Sequence, residues 1–485
     1  MTWPVTLSEA LLAAGLVSLG LFSLNLAVLS TARLLAPQRR LPASLPSAAD
    51  LPLVLIQVPL YNEGELVNRI LSHLTALDWP RERLQIQILD DSTDASLDAS
   101  LAAVAALSAA GWTIALLHRQ RRTAFKAGAL AAGLDQSRAP YVAIFDADFL
   151  PPPDFLIRTI GVLHADAGLG YVQTRWLHAN AAHNALTRAQ ARLLDGHFRV
   201  EQEARHRLGL PVPFNGTGGV WRRAAIDAAG GWQGDTLTED LDLSLRARLA
   251  GWRSAYLQHL GVPGMLPESP RAWRVQQFRW TKGFVECLVK LSRTLWASSA
   301  LPPWQKLMIS LQLAQPLAFV AGAASILASL PFIAGPAVLS PPVATLALTV
   351  GTGGLVGPLA LILLGAPGVN PRALAKQAAA ALLLTSGLLL SNARAGLEGL
   401  LGWRSEFVRT PKPSDRLPIL HQRRGGGLPE LGAGLALLTF VLLEQPLALL
   451  PLALVIGGLL GLGLMQLGEG WPRLALALQR LGTTA

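Results

Sequence analysis

The chain has 485 residues, 51% hydrophobic and only 15% charged, a balance too apolar for an ordinary soluble enzyme and too interrupted by charge to be membrane throughout. Its formal charge of +10 is uneven, with acids and bases mixed between Leu51 and Trp280 and short basic connections in the apolar remainder, which reads as membrane orientation and surface attraction rather than nucleic-acid binding. A single cysteine, Cys287, excludes an intramolecular disulfide and a thiolate metal cluster and suits a reducing cytoplasmic compartment.

About 20 apolar residues cross a bilayer core, and residues 6–30 meet that length. Arg33, Arg39 and Arg40 follow and should stay cytoplasmic. With no basic leader and no clear cleavage site, residues 1–40 read as an uncleaved signal anchor. Residues 41–300 form the next unit. Branched and aromatic runs at 53–58, 85–89, 113–117 and 141–145 predict strands, and the patterns at 65–77, 97–108 and 125–134 predict helices between them. That alternation predicts an α/β domain with a mostly parallel sheet covered on both faces. Ligands of such sheets sit at the carboxyl ends of the strands.

The remainder, 301–485, predicts an α-helical transmembrane region. Residues 307–334 and 342–365 read as spans. The stretch 431–467 is too long for one span and breaks at Glu444-Gln445-Pro446, giving a terminal hairpin over 429–467. Residues 373–397 are apolar, yet Arg372 and Lys376 mark their start and Arg394 and Arg404 their end. As an interfacial helix they keep the basic loop 398–428 cytoplasmic; as a span they would throw it outside, against the positive-inside rule.

Three of the four predicted strands end in polar, mostly acidic turns: Pro59-Leu60-Tyr61-Asn62-Glu63, Asp90-Asp91-Ser92-Thr93-Asp94 and Asp146-Ala147-Asp148. Any one alone is explained by helix caps and turns. Three on one sheet edge crowd carboxylates that repel unless a cation lies between them, and a hard divalent ion bridging a pyrophosphate takes such oxygens. Thr238-Glu239-Asp240 opens a further helical pattern at 241–250, where acids also suit the helix dipole. Gln276, Arg279 and Trp280 share one helix face, offering an amide, a guanidinium fork and an indole platform, although Trp and Arg also favour a membrane surface.

These segments, with Phe125-Lys126-Ala127-Gly128-Ala129-Leu130, Val172-Gln173-Thr174-Arg175-Trp176, Phe214-Asn215-Gly216-Thr217-Gly218-Gly219-Val220-Trp221 and Gln276-Gln277-Phe278-Arg279-Trp280, resemble processive family 2 glycosyltransferases. The cellulose-synthase-like A and C groups, mannan and glucan backbone synthases, look closest. The resemblance implies a GT-A fold and a hexosyltransferase that inverts the anomeric centre, moving sugar from UDP-glucose or GDP-mannose to a growing polysaccharide. Asp240 would be the general base. Asp90 or Asp91, Lys126, Asp146, Gln276 and Arg279 would hold the donor, Glu239 and Trp280 the acceptor, and Asp148 with Asp146 a Mg²⁺ or Mn²⁺ ion. Phe407, Thr410 and Lys412 match a gating loop of cellulose synthases, but Arg409 stands where that loop carries valine. One span before the α/β domain, and a chain that ends soon after its last span, suit the backbone synthases without a fused regulatory domain. Two other classes compete: a lipid glycosyltransferase of the ceramide or diacylglycerol type, which shares Gln-x-x-Arg-Trp but adds one sugar, and a non-enzymatic transporter or scaffold, which would not cluster acids at strand ends. The expected location is the plasma (inner) membrane, with the catalytic domain cytoplasmic.

Overall fold

The computed structural model describes residues 3–405 and 426–470. Seven strands, β1 (Val54–Leu60), β2 (Leu84–Asp90), β3 (Ile114–His118), β4 (Tyr141–Ile144), β5 (Leu169–His178), β6 (Gly219–Arg222) and β7 (Arg253–Gly264), form one sheet in the order β3-β2-β1-β4-β6-β5-β7. Strands β1 to β4, those expected from the sequence, lie side by side and parallel. Strand β6 runs antiparallel to β4 and β5, and β5 pairs in parallel with β7. The sheet is therefore mixed, with the acidic turns after β1, β2 and β4 on a common edge.

Alternation along β1 separates two apolar layers. Val54, Ile56, Val58 and Leu60 join Val67, Ile70 and Leu71 of helix Gly64–Leu74, while Leu55 joins Ala127, Leu130 and Leu134 of helix Phe125–Asp135. Two buried amides tie that second helix down. Gln57 Nε2 donates to Gln87 Oε1 (3.0 Å) and to the Leu130 carbonyl (3.1 Å), and Gln87 Nε2 donates to the Gly133 carbonyl (2.8 Å). A Cβ at Gly133 would lie 2.5 Å from Gln87 Oε1, so the close approach needs glycine there. Lys126, the second residue of this helix, inherits a fixed position above the sheet edge.

Four helices are long and apolar enough to cross a membrane: Val5–Leu35, Pro303–Ala334, Pro341–Gly365 and Pro446–Glu469. Leu7, Leu11, Leu21 and Leu24 stand exposed along the first, a surface that lipid would cover. These helices fit a membrane protein. An apolar helix Leu428–Glu444 precedes the last, and Gln445 lies between them.

Where the sequence suggests one helix over 373–397, there are two, Pro371–Gly387 and Leu389–Leu400, meeting at 53°. The break has a local cause: Thr385 and Ser386 return hydroxyl hydrogen bonds to the carbonyls of Ala381 and Leu383, and Gly387 follows. Ser386 also donates to the Leu454 carbonyl (2.7 Å), so the first half packs along the last helix. The gating-loop residues Phe407, Arg409, Thr410 and Lys412 lie outside the described residues.

Candidate active site

The carboxyl edge of the sheet opens into a cavity of about 440 Å³, within the size of small-ligand sites. Its lining includes Asp91, Lys126, Asp146, Asp148, Glu239, Asp240, Gln276, Arg279 and Trp280. Residues spread over 190 positions of sequence thus converge by topology.

Asp90 stands apart. Fully buried at the end of β2, its Oδ1 accepts the Ser92 amide (2.8 Å), so it shapes the turn rather than facing the cavity. Asn62, at φ 55°, braces the same turn: its amide donates to Ser92 Oγ (2.7 Å) and its Oδ1 accepts the Thr93 amide (2.9 Å). Asp91 is the member that reaches the cavity, held by the Arg119 fork at 2.9 and 2.5 Å. Arg119 also donates to the carbonyls of Thr123 (3.0 Å) and Phe125 (2.7 Å). Those bonds span Ala124 and Phe125, two non-glycine residues with φ of 57° and 46°. Left-handed backbone of this kind costs on the order of 1–3 kcal/mol each and survives only where neighbours enforce it. The strained turn starts the helix that presents Lys126.

Lys126 Nζ donates to Asp146 Oδ1 (2.6 Å) and to the Gly216 carbonyl (3.0 Å). Burial works to lower its pKa, but Asp146, Glu239 and Asp240 outweigh burial and leave the ammonium above its usual value. Asp146 is fixed in turn by its amide, which donates to Thr217 Oγ1 (2.9 Å). Asp148 Oδ2 accepts the amide of Met265, just beyond β7 (3.3 Å). The glycine-rich loop between Asn215 and Gly219 is needed for this closeness. Gly216 has φ +78°, and a Cβ there would lie 3.2 Å from Asp240 Oδ2 and 3.4 Å from Lys126 Nζ.

Glu239 and Asp240 open helix Glu239–Leu249. Burial, and next the charge of Glu239, push the Asp240 carboxyl up to about 7, against the opposing pull of the Leu241 amide and Lys126. Burial lowers the Arg279 guanidinium, and Glu239, Asp146 and Asp240 hold it up in part. Gln276, Arg279 and Trp280 arrive on the long helix Pro270–Ala297, whose start is capped by Ser269 Oγ accepting the Ala272 amide (3.1 Å). Three cations, Arg122, Lys126 and Arg279, and several carboxylates therefore share one enclosure. Such a site can hold a diphosphate and take a proton from a hydroxyl near neutral pH.

The oxygen donors suit a hard divalent ion. Among the described residues no group of three or more His, Cys, Asp or Glu is placed to cage a metal. Asp146 and Asp148 are two carboxylates of this lining that would serve an ion completing its shell with the phosphates of a substrate, as Mg²⁺-type ions do.

Several residues at or behind the cavity wall escape a reading of the sequence: Arg122 and His197 line it, and Arg119 stands behind Asp91. Arg119 and Arg122 follow β3, the one predicted strand whose turn is basic, and Arg122 lies 3.3 Å from the centroid of the Tyr61 ring. The signal was charge complementarity across neighbouring turns. His197 begins a π-turn, His197–Glu201, and its Nδ1 lies 2.9 Å from Glu201 Oε2. Such turns often mark functional positions, but nothing local in the sequence announces one.

Residues 52–283 match the family model described as glycosyltransferase like family 2. Glucomannan 4-beta-mannosyltransferase 2 of Arabidopsis thaliana is 41% identical over 266 residues, covering 54% of this chain and 50% of that protein. Glucomannan 4-beta-mannosyltransferase 1 of Oryza sativa subsp. japonica is 40% identical over 262 residues, covering 53% and 50%. The chain spans about half the length of these curated relatives. Among solved structures, a mannosyltransferase from Pyrobaculum calidifontis in complex with GDP-Man and Mn²⁺ has the same fold, with a TM-score of 0.55 at 21% identity over 81% of this chain and 99% of that one. The α/β domain of this chain is a GT-A fold, and over residues 52–283 it is similar to the glycosyltransferase-like family 2.

Proposed function

We propose that the chain is an inverting hexosyltransferase that moves a sugar from a nucleotide-sugar donor onto the hydroxyl of a growing β-linked glycan at the membrane. One observation carries this reading: the Asp240 carboxyl, poised at about 7, meets Lys126, Arg279 and the Asp146–Asp148 pair in a single cavity. Asp240 takes the proton of the acceptor hydroxyl as its oxygen attacks the anomeric carbon from the face opposite the leaving group. The bond from that carbon to the diphosphate breaks, and the nucleoside diphosphate departs with the electron pair. Lys126 and Arg279 bind the diphosphate oxygens, Asp91 and Asp146 position the nucleoside, and Gln276 orients the donor. Trp280 and Glu239 hold the acceptor sugar. A divalent ion on Asp146 and Asp148 would neutralise charge on the leaving group.

The glucomannan 4-beta-mannosyltransferases, and the neighbour solved with GDP-Man and Mn²⁺, support GDP-mannose as the donor and Mn²⁺ as the ion over UDP-glucose and Mg²⁺. Domain limits follow as 1–40, 41–300 and 301–485. Arg33, Arg39 and Arg40 after the first span support a cytoplasmic catalytic domain in the plasma (inner) membrane. The test is donor binding by the purified full chain. Calorimetry with Mn²⁺ should show GDP-mannose bound and UDP-glucose bound at least tenfold more weakly, with Lys126→Ala weakening GDP-mannose about tenfold or more. Binding of neither nucleotide sugar would refute the assignment.

A further inference from the structure

The face of helix Pro270–Ala297 that carries Gln276, Arg279 and Trp280 does not end at the cavity. Gly283, Glu286, Cys287 and Lys290 continue it at helical spacings of three and four. All four meet one segment, 233–242, which contains Asp240. A Cβ at Gly283 would lie 2.5 Å from Thr238 Cγ2, so helix and segment touch there with no room to spare. Glu286 Oε2 accepts the Leu237 amide (2.7 Å). Cys287 Sγ lies 3.5 Å from Thr238 Oγ1. Lys290 Nζ donates to Gln233 Oε1 (2.8 Å) and pairs with Asp235 Oδ1 (2.6 Å) and with the fully buried Asp242 Oδ1 (2.9 Å).

Resting on the glycosyltransfer reading, we propose that Glu286 and Lys290 are positioning residues that fix Asp240 relative to Arg279 and Trp280, through one continuous stripe of one helix. The stripe solves a problem the fold creates. Asp240 comes from a segment that leaves the sheet through Gly230 and Gly231, both left-handed, whereas Arg279 and Trp280 come from a helix that begins after β7. Sheet pairing alone leaves their separation unset. The Leu237 amide, three residues before Asp240, is held by Glu286, and Asp242, two residues after it, is held by Lys290. Asp240 is thereby pinned from both sides to the helix whose other half carries the donor and acceptor groups. A displacement of about 1 Å in such a group costs on the order of a hundred-fold in rate, so two modest polar contacts carry a large kinetic effect.

Glu286→Ala, Glu286→Gln and Lys290→Met in the full chain test this, with donor affinity, kcat, the kcat–pH profile and hydrogen exchange of the 237–241 amides measured for each. Glu286→Ala and Lys290→Met should lower kcat about a hundred-fold, keep the donor Kd within about twofold, move the acid limb of the profile and speed exchange of those amides. Glu286→Gln, whose side-chain carbonyl still accepts the Leu237 amide, should restore kcat to within about threefold. The other groups facing Asp240, namely Glu239, Lys126 and Arg279, are unchanged in every variant. Wild-type kcat in Glu286→Ala, or equal losses of kcat and donor affinity in both variants, would overturn the proposal. Absence of sugar transfer by the wild-type chain would defeat the glycosyltransfer reading instead. Exchange rates unaltered in Glu286→Ala would still refute the clamp in that case.

Discussion

Replacing Asp240 with asparagine separates charge from shape at the centre of the site. The rise of its carboxyl from an ordinary 3.8 to about 7 corresponds to roughly 4 kcal/mol of native-state cost for holding the charged form. The pulls of the Leu241 amide and Lys126 are already contained in that rise, so the uncharged asparagine should gain stability of that order, up to about 4 kcal/mol, where the carboxyl would be ionised. The sign with pH follows from linkage. Below pH 3.8 the carboxyl is protonated in both folded and unfolded chains, and the variant gains nothing. Between 3.8 and about 7 the folded chain holds more protons than the unfolded one, so wild-type stability falls as pH rises and the variant's advantage grows. Above about 7 the advantage is complete. Thermal unfolding of both proteins at about pH 4.5 and about pH 8 should show the Asp240→Asn midpoint above wild type, by clearly more at the higher pH. In parallel, transfer by the variant should fall at least about a hundred-fold while donor affinity holds. A variant less stable than wild type at both pH values, or one that loses donor binding, would refute the reasoning and move Asp240 to the nucleotide or metal site.

The wild-type kcat should rise about tenfold per pH step below 7 and level off above it, as a base of that pKa requires. EDTA should stop the reaction and Mn²⁺ or Mg²⁺ restore it, whereas Asp148→Ala should stay inactive at any metal concentration; activity after exhaustive dialysis against EDTA removes the ion from the mechanism. Gly216→Ala adds a Cβ 3.2 Å from Asp240 Oδ2 at a φ of +78°, so stability should drop by about 1–2 kcal/mol and kcat by more than tenfold, read from denaturation and initial rates. With Cys287 replaced by serine, a single cysteine at Ser47, an exposed residue ahead of β1, should be labelled in inverted vesicles and not in right-side-out ones.

How much of this was legible from the sequence follows from which contacts are local. Strands β1 to β4 and the helices between them obey short-range patterns, and observed ends such as Phe125–Asp135 fall within a residue of the expected 125–134. Strand β6, with four residues, and the antiparallel pairing of β4, β6 and β5 are set by partners far along the chain, which periodicity does not reveal. The acidic turns pointed to one sheet edge because each follows its strand directly. That Asp91 rather than Asp90 faces the cavity depended on Ser92 and Arg119, one of them on the next strand's turn. The bend after Gly387 came from the hydroxyls of Thr385 and Ser386, which the apolar character of 373–397 obscured although both residues stand in the sequence.

The central claim is glycan extension by this cavity, and product analysis tests it most directly. Full-length chain in proteoliposomes, given radiolabelled GDP-mannose and Mn²⁺, should convert label into alkali-stable polymer that a β-mannan-specific hydrolase degrades, and the Asp240→Asn chain should make none. A single labelled glycolipid in place of polymer, or polymer undiminished in the Asp240→Asn chain, would contradict the account.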